Sequence, residues 1–151
     1  MFNGGVRNAL SFCTANGEET QMSVVCVFLQ RGEYEAVHHG LSIAAAAASM
    51  GRKVELYFFW FALERLVRGN LDEPDLPRDD VNATMELRGV PTCRQLLDVI
   101  RDSGQATVLA CTGSMASLGL SPPQVEHKVD ALIGWTSILS RTQGVVDRFF
   151  V

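Results

Sequence analysis

The chain of 151 residues contains no basic run with interleaved aromatics, no apolar stretch near membrane-spanning length, and no C-x-x-C pair. Each absence removes a class of function. Thirteen Lys and Arg stand against seventeen Asp and Glu, a formal net charge of −4 with an isoelectric point near 5.3. That balance gives no reason to expect nucleic acid or an anionic membrane surface as a partner. The longest apolar segments, residues 43–50 and 54–63, fall well short of the ~20 residues that span a bilayer, and Glu55 interrupts the second. No membrane span is expected. Residues 1–21 have no charged region leading into an apolar core, so no secretory signal is expected either.

Cysteine is sparse and scattered. Cys13, Cys26, Cys93 and Cys111 lie too far apart for a disulfide framework or a zinc site, which makes a reducing, cytoplasmic location the default. Histidines are three, His38, His39 and His127. The first two are neighbours about 100° apart on a helix, so both cannot line one site, and no Cys or carboxylate stands at metal spacing from them. No metal is expected. The phosphate-cradling patterns G-x-x-x-x-G-K and G-x-G-x-x-G are missing, as is the nucleophile elbow G-x-S-x-G around Ser114. No organic cofactor is implied.

What remains is a soluble-type composition, 47% hydrophobic and 20% charged, long enough for one domain with a real core. Residues 1–22 lack periodicity and carry Gly4, Gly5 and Gly17, which predicts a flexible or partner-dependent arm. Residues 23–29 form a continuously apolar, β-branched run, the pattern of a strand buried on both faces. Residues 34–50 read as a helix stopped by Gly51, with five alanines at 44–48 that let it lie close to a sheet. A second strand is expected over 52–59, a short helix over 61–68, and an acidic Pro-punctuated loop over 70–80. A helix introduced by Val90-Pro91 runs to Asp102, with Leu96, Leu97, Val99 and Ile100 on one face. Strands follow at 106–110, 129–133 and 145–151, with a helix at 135–142. This alternation predicts an α/β domain, residues 23–151, with a mostly parallel five-stranded sheet covered on both sides in a three-layer α/β/α sandwich.

Sites in such folds lie beyond the carboxyl ends of the strands, and Cys111 falls there, in the stretch VLACTGSMASLG at 108–119. A lone cysteine is ordinarily a small core residue. Here, however, the segment after it can turn into a helix, whose free N–H groups favour a thiolate. Gly113 lets the backbone fold around an anionic sulfur. Cys93, in the first turn of a helix beside Arg94, is the rival. Cys26 reads as core, and Cys13 as an exposed residue of the arm. Tyr57, Phe58, Phe59, Trp60 and Phe61 read as core and interface.

Three stretches resemble the DsrE/DsrF-like sulfur-relay superfamily, which includes TusD, and within it the branch often labelled "peroxiredoxin family protein". AAASMGRKVELYFFWFAL at 46–63 is similar to that branch's A-x-x-x-G-x-x-V…F-F-x-F-W-G-L segment. VLACTGSMASLGL at 108–120 is similar to its A-C-x-M-S-M-x-x-x-G segment, with Cys111 on the family cysteine, and residues 134–151 fit its closing helix and strand. The family's Met-Ser-Met reads Gly113-Ser114-Met115 here, and its Trp-Gly pair reads Phe61-Ala62.

The resemblance implies a sulfur carrier or sulfurtransferase in which Cys111 holds sulfane sulfur as a persulfide. Gly113 and Ser114 would bind the anion through their backbone N–H groups, and Gln30, Arg31, His38, Trp60 and Met115 would form the pocket. It implies sulfur-donor and sulfur-acceptor proteins as partners and a homo-oligomeric assembly. The alternative is a non-catalytic oligomeric binding or assembly module with a structural cysteine.

Overall fold

The computed structural model describes residues 23–75 and 79–151. The arm expected over residues 1–22, including Cys13, lies outside the described residues.

Five strands form one all-parallel sheet: β1 (Val25–Leu29), β2 (Val54–Phe58), β3 (Ala106–Cys111), β4 (Ala131–Ile133) and β5 (Asp147–Phe150), in the order β4-β3-β2-β1-β5. Every residue of β1 is buried, as its unbroken apolar run requires of a central strand covered on both faces. The helices are α1 (Tyr34–Ser49), α2 (Trp60–Arg68), α3 (Asp79–Arg88), α4 (Cys93–Asp102), α5 (Thr112–Ser117), α6 (Pro122–Val125) and α7 (Trp135–Arg141).

Right-handed crossovers decide which face each helix covers. From β1 to β4 the chain steps along the sheet in one direction. From β4 it must return past β1 to reach β5, and α7 makes that return on the opposite face. The two cores follow this division. Val25, Val27, Leu29, Leu56, Phe58 and Val108 pack with residues of α1, α2 and α4. Cys26, Phe28, Tyr57, Phe59, Leu109 and Cys111 pack with Ile138 of α7. The architecture is a three-layer α/β/α sandwich whose second helical layer is, among the described residues, a single helix of seven residues.

The alanine run does what its small side chains permit. Ala44, Ala45, Ala47 and Ala48 are buried in α1. Gly40 lies so close to the sheet that a Cβ there would stand 2.2 Å from Leu29 Cδ2.

Three local expectations are corrected. The loop predicted over 70–80 gives way at Asp79 to α3. That helix leaves Val81 and Leu87 exposed, and none of its described side chains forms a buried stripe for a periodicity reading to find. The helix predicted from Pro91 starts at Cys93, because Thr92 and Gln95 close a reciprocal capping box. Its buried stripe is Cys93, Leu96, Leu97 and Ile100, spaced i, i+3, i+4 and i+7, which leaves Val99 50% exposed.

Candidate functional site

The carboxyl edge of the sheet brings Gln30, Phe59 and Cys111 to the ends of three adjacent strands, because Leu29 pairs with Phe58 and Phe58 with Ala110. Cys111 is the last residue of β3, paired with Ile133 of β4, and its extended backbone caps α5. The N–H groups of Thr112, Gly113 and Ser114 therefore occupy the first turn, before intrahelical bonding begins. The Thr112 hydroxyl reaches the Ile133 carbonyl at 3.5 Å and ties the ends of β3 and β4 together.

Alternation along β3 sends the Cys111 side chain to the α7 face with Leu109. Cys111 is 2% exposed, packed in the cluster that holds Phe59, Ile133 and Ile138. Gly113 is exposed, and a Cβ there would meet Cys111 Sγ at an ordinary 3.7 Å. Ser114 is buried, and Met115 is buried in the core of the opposite face.

The expected pocket residues divide. Gln30, Arg31 and Trp60 line one cavity of about 570 Å³ between the β1–α1 turn, α2 and the segment after it. His38 lines a second cavity of similar size with Tyr34 and His39, and its Nε2 bonds the Pro91 carbonyl at 2.9 Å. Cys111 lines neither.

The other two described cysteines are held in their protonated form. Burial pushes the Cys26 thiol up to about 11, with the Glu55 carboxylate adding to the shift. Burial likewise pushes Cys93 up to about 12, and the Asp72 charge pushes the same way. The expected help from Arg94 is not given. That side chain instead donates to the Gly69 carbonyl at 2.7 Å and lies 3.7 Å from the Asp72 carboxylate. Cys111 is the described cysteine left at the carboxyl edge.

Sequence reading missed Arg65. It sits on the buried side of α2 with Ala62, Leu63 and Leu66, a charge within an apolar stripe, and that misplacement was a legible signal. Its Nε donates to the Gly32 carbonyl at 2.7 Å, Nη1 to the carbonyls of Asn70 (3.1 Å) and Glu73, and Nη2 to the Asp75 carboxylate. One guanidinium thus fixes two cavity walls. Trp60, in the lining of the first cavity, is 47% exposed and is the described non-glycine residue with a positive φ, +42°. A second network lies on the α7 face, where Glu55 accepts from Tyr57 Oη and from Arg141 of α7.

No group of three or more His, Cys, Asp or Glu among the described residues is placed to hold a metal ion, and none of the described helices is long and apolar enough to cross a membrane. No protein-family model matches the chain, and no curated protein matches it. Fold and site together define a parallel α/β domain with a sheltered cysteine at the carboxyl edge of its sheet.

Proposed function

We propose that the protein is a cytoplasmic sulfur carrier of the DsrE-like kind, working through a persulfide on Cys111. The observation that carries this reading is position. Cys111 ends β3 at the carboxyl edge and caps the next helix, whereas Cys26 lies inside β1 and Cys93 opens α4. The Cys111 thiolate attacks the outer sulfur of a polysulfide or protein persulfide. A new S–S bond forms as the donor's S–S bond breaks, the departing thiolate leaves with the electron pair, and the thiol proton passes to solvent. The first-turn N–H groups of Gly113 and Ser114 hold the charged outer sulfur. An acceptor cysteine on a partner protein repeats the exchange in the other direction, within a homo-oligomeric assembly. Because Cys111 is buried, loading includes a local opening of the contacts around Ile138.

Intact mass after incubation with inorganic polysulfide tests the reading. The wild type is expected to gain a sulfur atom, Cys13→Ser to keep the gain, and Cys111→Ser to lose it. An unmodified wild type, or an equal gain in Cys111→Ser, sinks the proposal.

The burial of Cys111 favours one second reading, a non-catalytic assembly module in which the thiol only fills the α7-side core. Exposed Trp135 and Leu139 on α7 supply a surface for such a role. It predicts that Cys111 resists alkylation until global unfolding and that Cys111→Ser binds partners unchanged.

A further inference from the structure

We propose that the cavity between the β1–α1 turn and α2 binds a flat, uncharged nitrogen heterocycle of purine size, independently of Cys111. Its volume, about 570 Å³, is that of a small-molecule site, and it opens at the carboxyl edge of a parallel sheet, where such folds place ligands.

The walls are preorganised. A Cβ on Gly32 would lie 2.5 Å from Phe61 Cβ, so the turn presses directly on α2. Arg65, 91% buried by its 9% exposure, bonds the backbone of Gly32 on one side and of Asn70 and Glu73 on the other. Such a cavity does not have to be ordered by its ligand.

The lining defines the ligand. Trp60 and Phe61 at its mouth are 47% and 59% exposed, offering aromatic faces for a flat ring. Trp60 is held there at φ +42°, a backbone state that L-residues avoid at a cost of roughly 1–2 kcal/mol. The ring belongs to neither buried cluster and lines the cavity instead, so its placement there is the return on that strain.

Charges in the cavity cancel. Arg31 pairs with Glu33 at 2.9 Å, Arg68 with Glu64 at 2.6 Å, and Arg65 with Asp75. A neutral lining favours a neutral ligand.

Two polar groups remain. The exposed Gln30 side-chain amide has no partner among the described residues, and presents a donor and an acceptor side by side. That pair matches the edge through which a glutamine reads adenine. Asn70 Oδ1, on the wall, is the described buried side-chain oxygen that lacks a hydrogen-bond donor. A ring bearing N–H groups brings the donor that this oxygen lacks.

Titration calorimetry with adenosine on the full chain tests the proposal. Saturable one-to-one binding is expected, weakened about 5- to 150-fold in Gln30→Ala. Trp60→Gly separates ligand binding from structure. Glycine accepts the positive φ, so its Tm should equal or exceed that of the wild type while adenosine binding is lost. Cys111→Ser should bind adenosine as the wild type does. No heat of binding in the folded wild type overturns the proposal, and so does undiminished binding by Trp60→Gly. Loss of binding in Cys111→Ser removes the independence of the two sites. AMP binding more than tenfold tighter than adenosine overturns the uncharged class.

Discussion

The two faces of the sheet are built from alternating residues of the same strands, yet they have been given opposite tasks. On one, Val25, Val27, Leu29, Leu56 and Phe58 meet α1, α2 and α4 through small residues that bring backbones together. On the other, the same strands contribute Cys26, Phe28, Tyr57, Phe59 and Cys111, together with Glu55, beneath a single short helix. There Phe28 stacks on Tyr57 at 4.7 Å and on Phe150 at 4.5 Å, and Glu55 joins Tyr57 to Arg141. A strand has a side-chain period of two, so one run of sequence can serve close packing above and polarisable, reactive groups below. The face with many helices holds the fold together. The thinly covered face carries Cys111 at the carboxyl edge beneath one short helix.

The sharpest way to break this comparison is to remove one phenylalanine from each face. Phe58 is fully buried on the many-helix face, and Phe58→Ala is expected to lower unfolding free energy by about 3–5 kcal/mol. Phe150, 62% exposed at the sheet edge, contributes chiefly its stack on Phe28, so Phe150→Ala should cost about 0.5–1.5 kcal/mol. Urea unfolding of both variants checks the pair, and equal losses would contradict the division of tasks. Next in size is Gly40→Ala. Its methyl would fall 2.2 Å from Leu29 Cδ2, so that fully buried side chain has to shift, an overpacking cost of about 1–3 kcal/mol by the same measurement.

How far these features were legible differs between them for physical reasons. The buried strands and the alanine-rich helix announce themselves, because a parallel sheet demands unbroken apolar runs and a close-packed helix demands small residues. Cys111 at a strand end could be read from its neighbours, since the change from apolar to small polar residues at Thr112 marks where β3 gives way to α5. Which face its sulfur takes could not. That depends on strand order and on α7 crossing to the far side, neither of which leaves a periodic trace. The separation of Cys111 from Gln30, Arg31 and Trp60 has the same origin. These residues reach the same edge of the sheet, while the alternation along β3 turns the sulfur toward α7. The left-handed backbone at Trp60 carries no residue-type signal, since glycine is what such a position ordinarily selects.

Alkaline pH probes both cores through their buried thiols. Cys26 on the α7 side and Cys93 on the other are raised to about 11 and 12 from an ordinary value of 9.0. Below pH 9 each thiol is protonated folded or unfolded and stability is flat with respect to it. Above pH 9 the unfolded thiol ionises while the folded one keeps its proton, so the folded state binds more protons and stability falls as pH rises toward 11. Cys93→Ala should flatten this decline by at most about 1.4 kcal/mol per pH unit. The check is denaturant unfolding at pH 8, 9, 10 and 11. An unchanged slope in the variant would show that Cys93 ionises as freely in the folded protein as out of it.

The smallest expected effect sharpens the comparison most, because it sets one glycine against another. Gly40 is required by a close approach, whereas Gly113 is not. Among the described residues beyond its own helix backbone and chain neighbours, a methyl at 113 would meet Cys111 Sγ alone within 4 Å, at 3.7 Å, and the φ of Gly113 lies outside the left-handed range. Gly113→Ala should therefore leave stability unchanged or raise it by up to about 1 kcal/mol through helix propensity in α5. Its consequence belongs to chemistry. The methyl rests against the sulfur, narrowing the approach of a donor and crowding the second sulfur atom of a persulfide. Alkylation and polysulfide loading of Cys111 should slow in Gly113→Ala while the unfolding midpoint holds or rises. Loading at the wild-type rate would mean that a methyl at 113 does not stand in the path of the donor, and that the opening around Ile138 alone sets the rate.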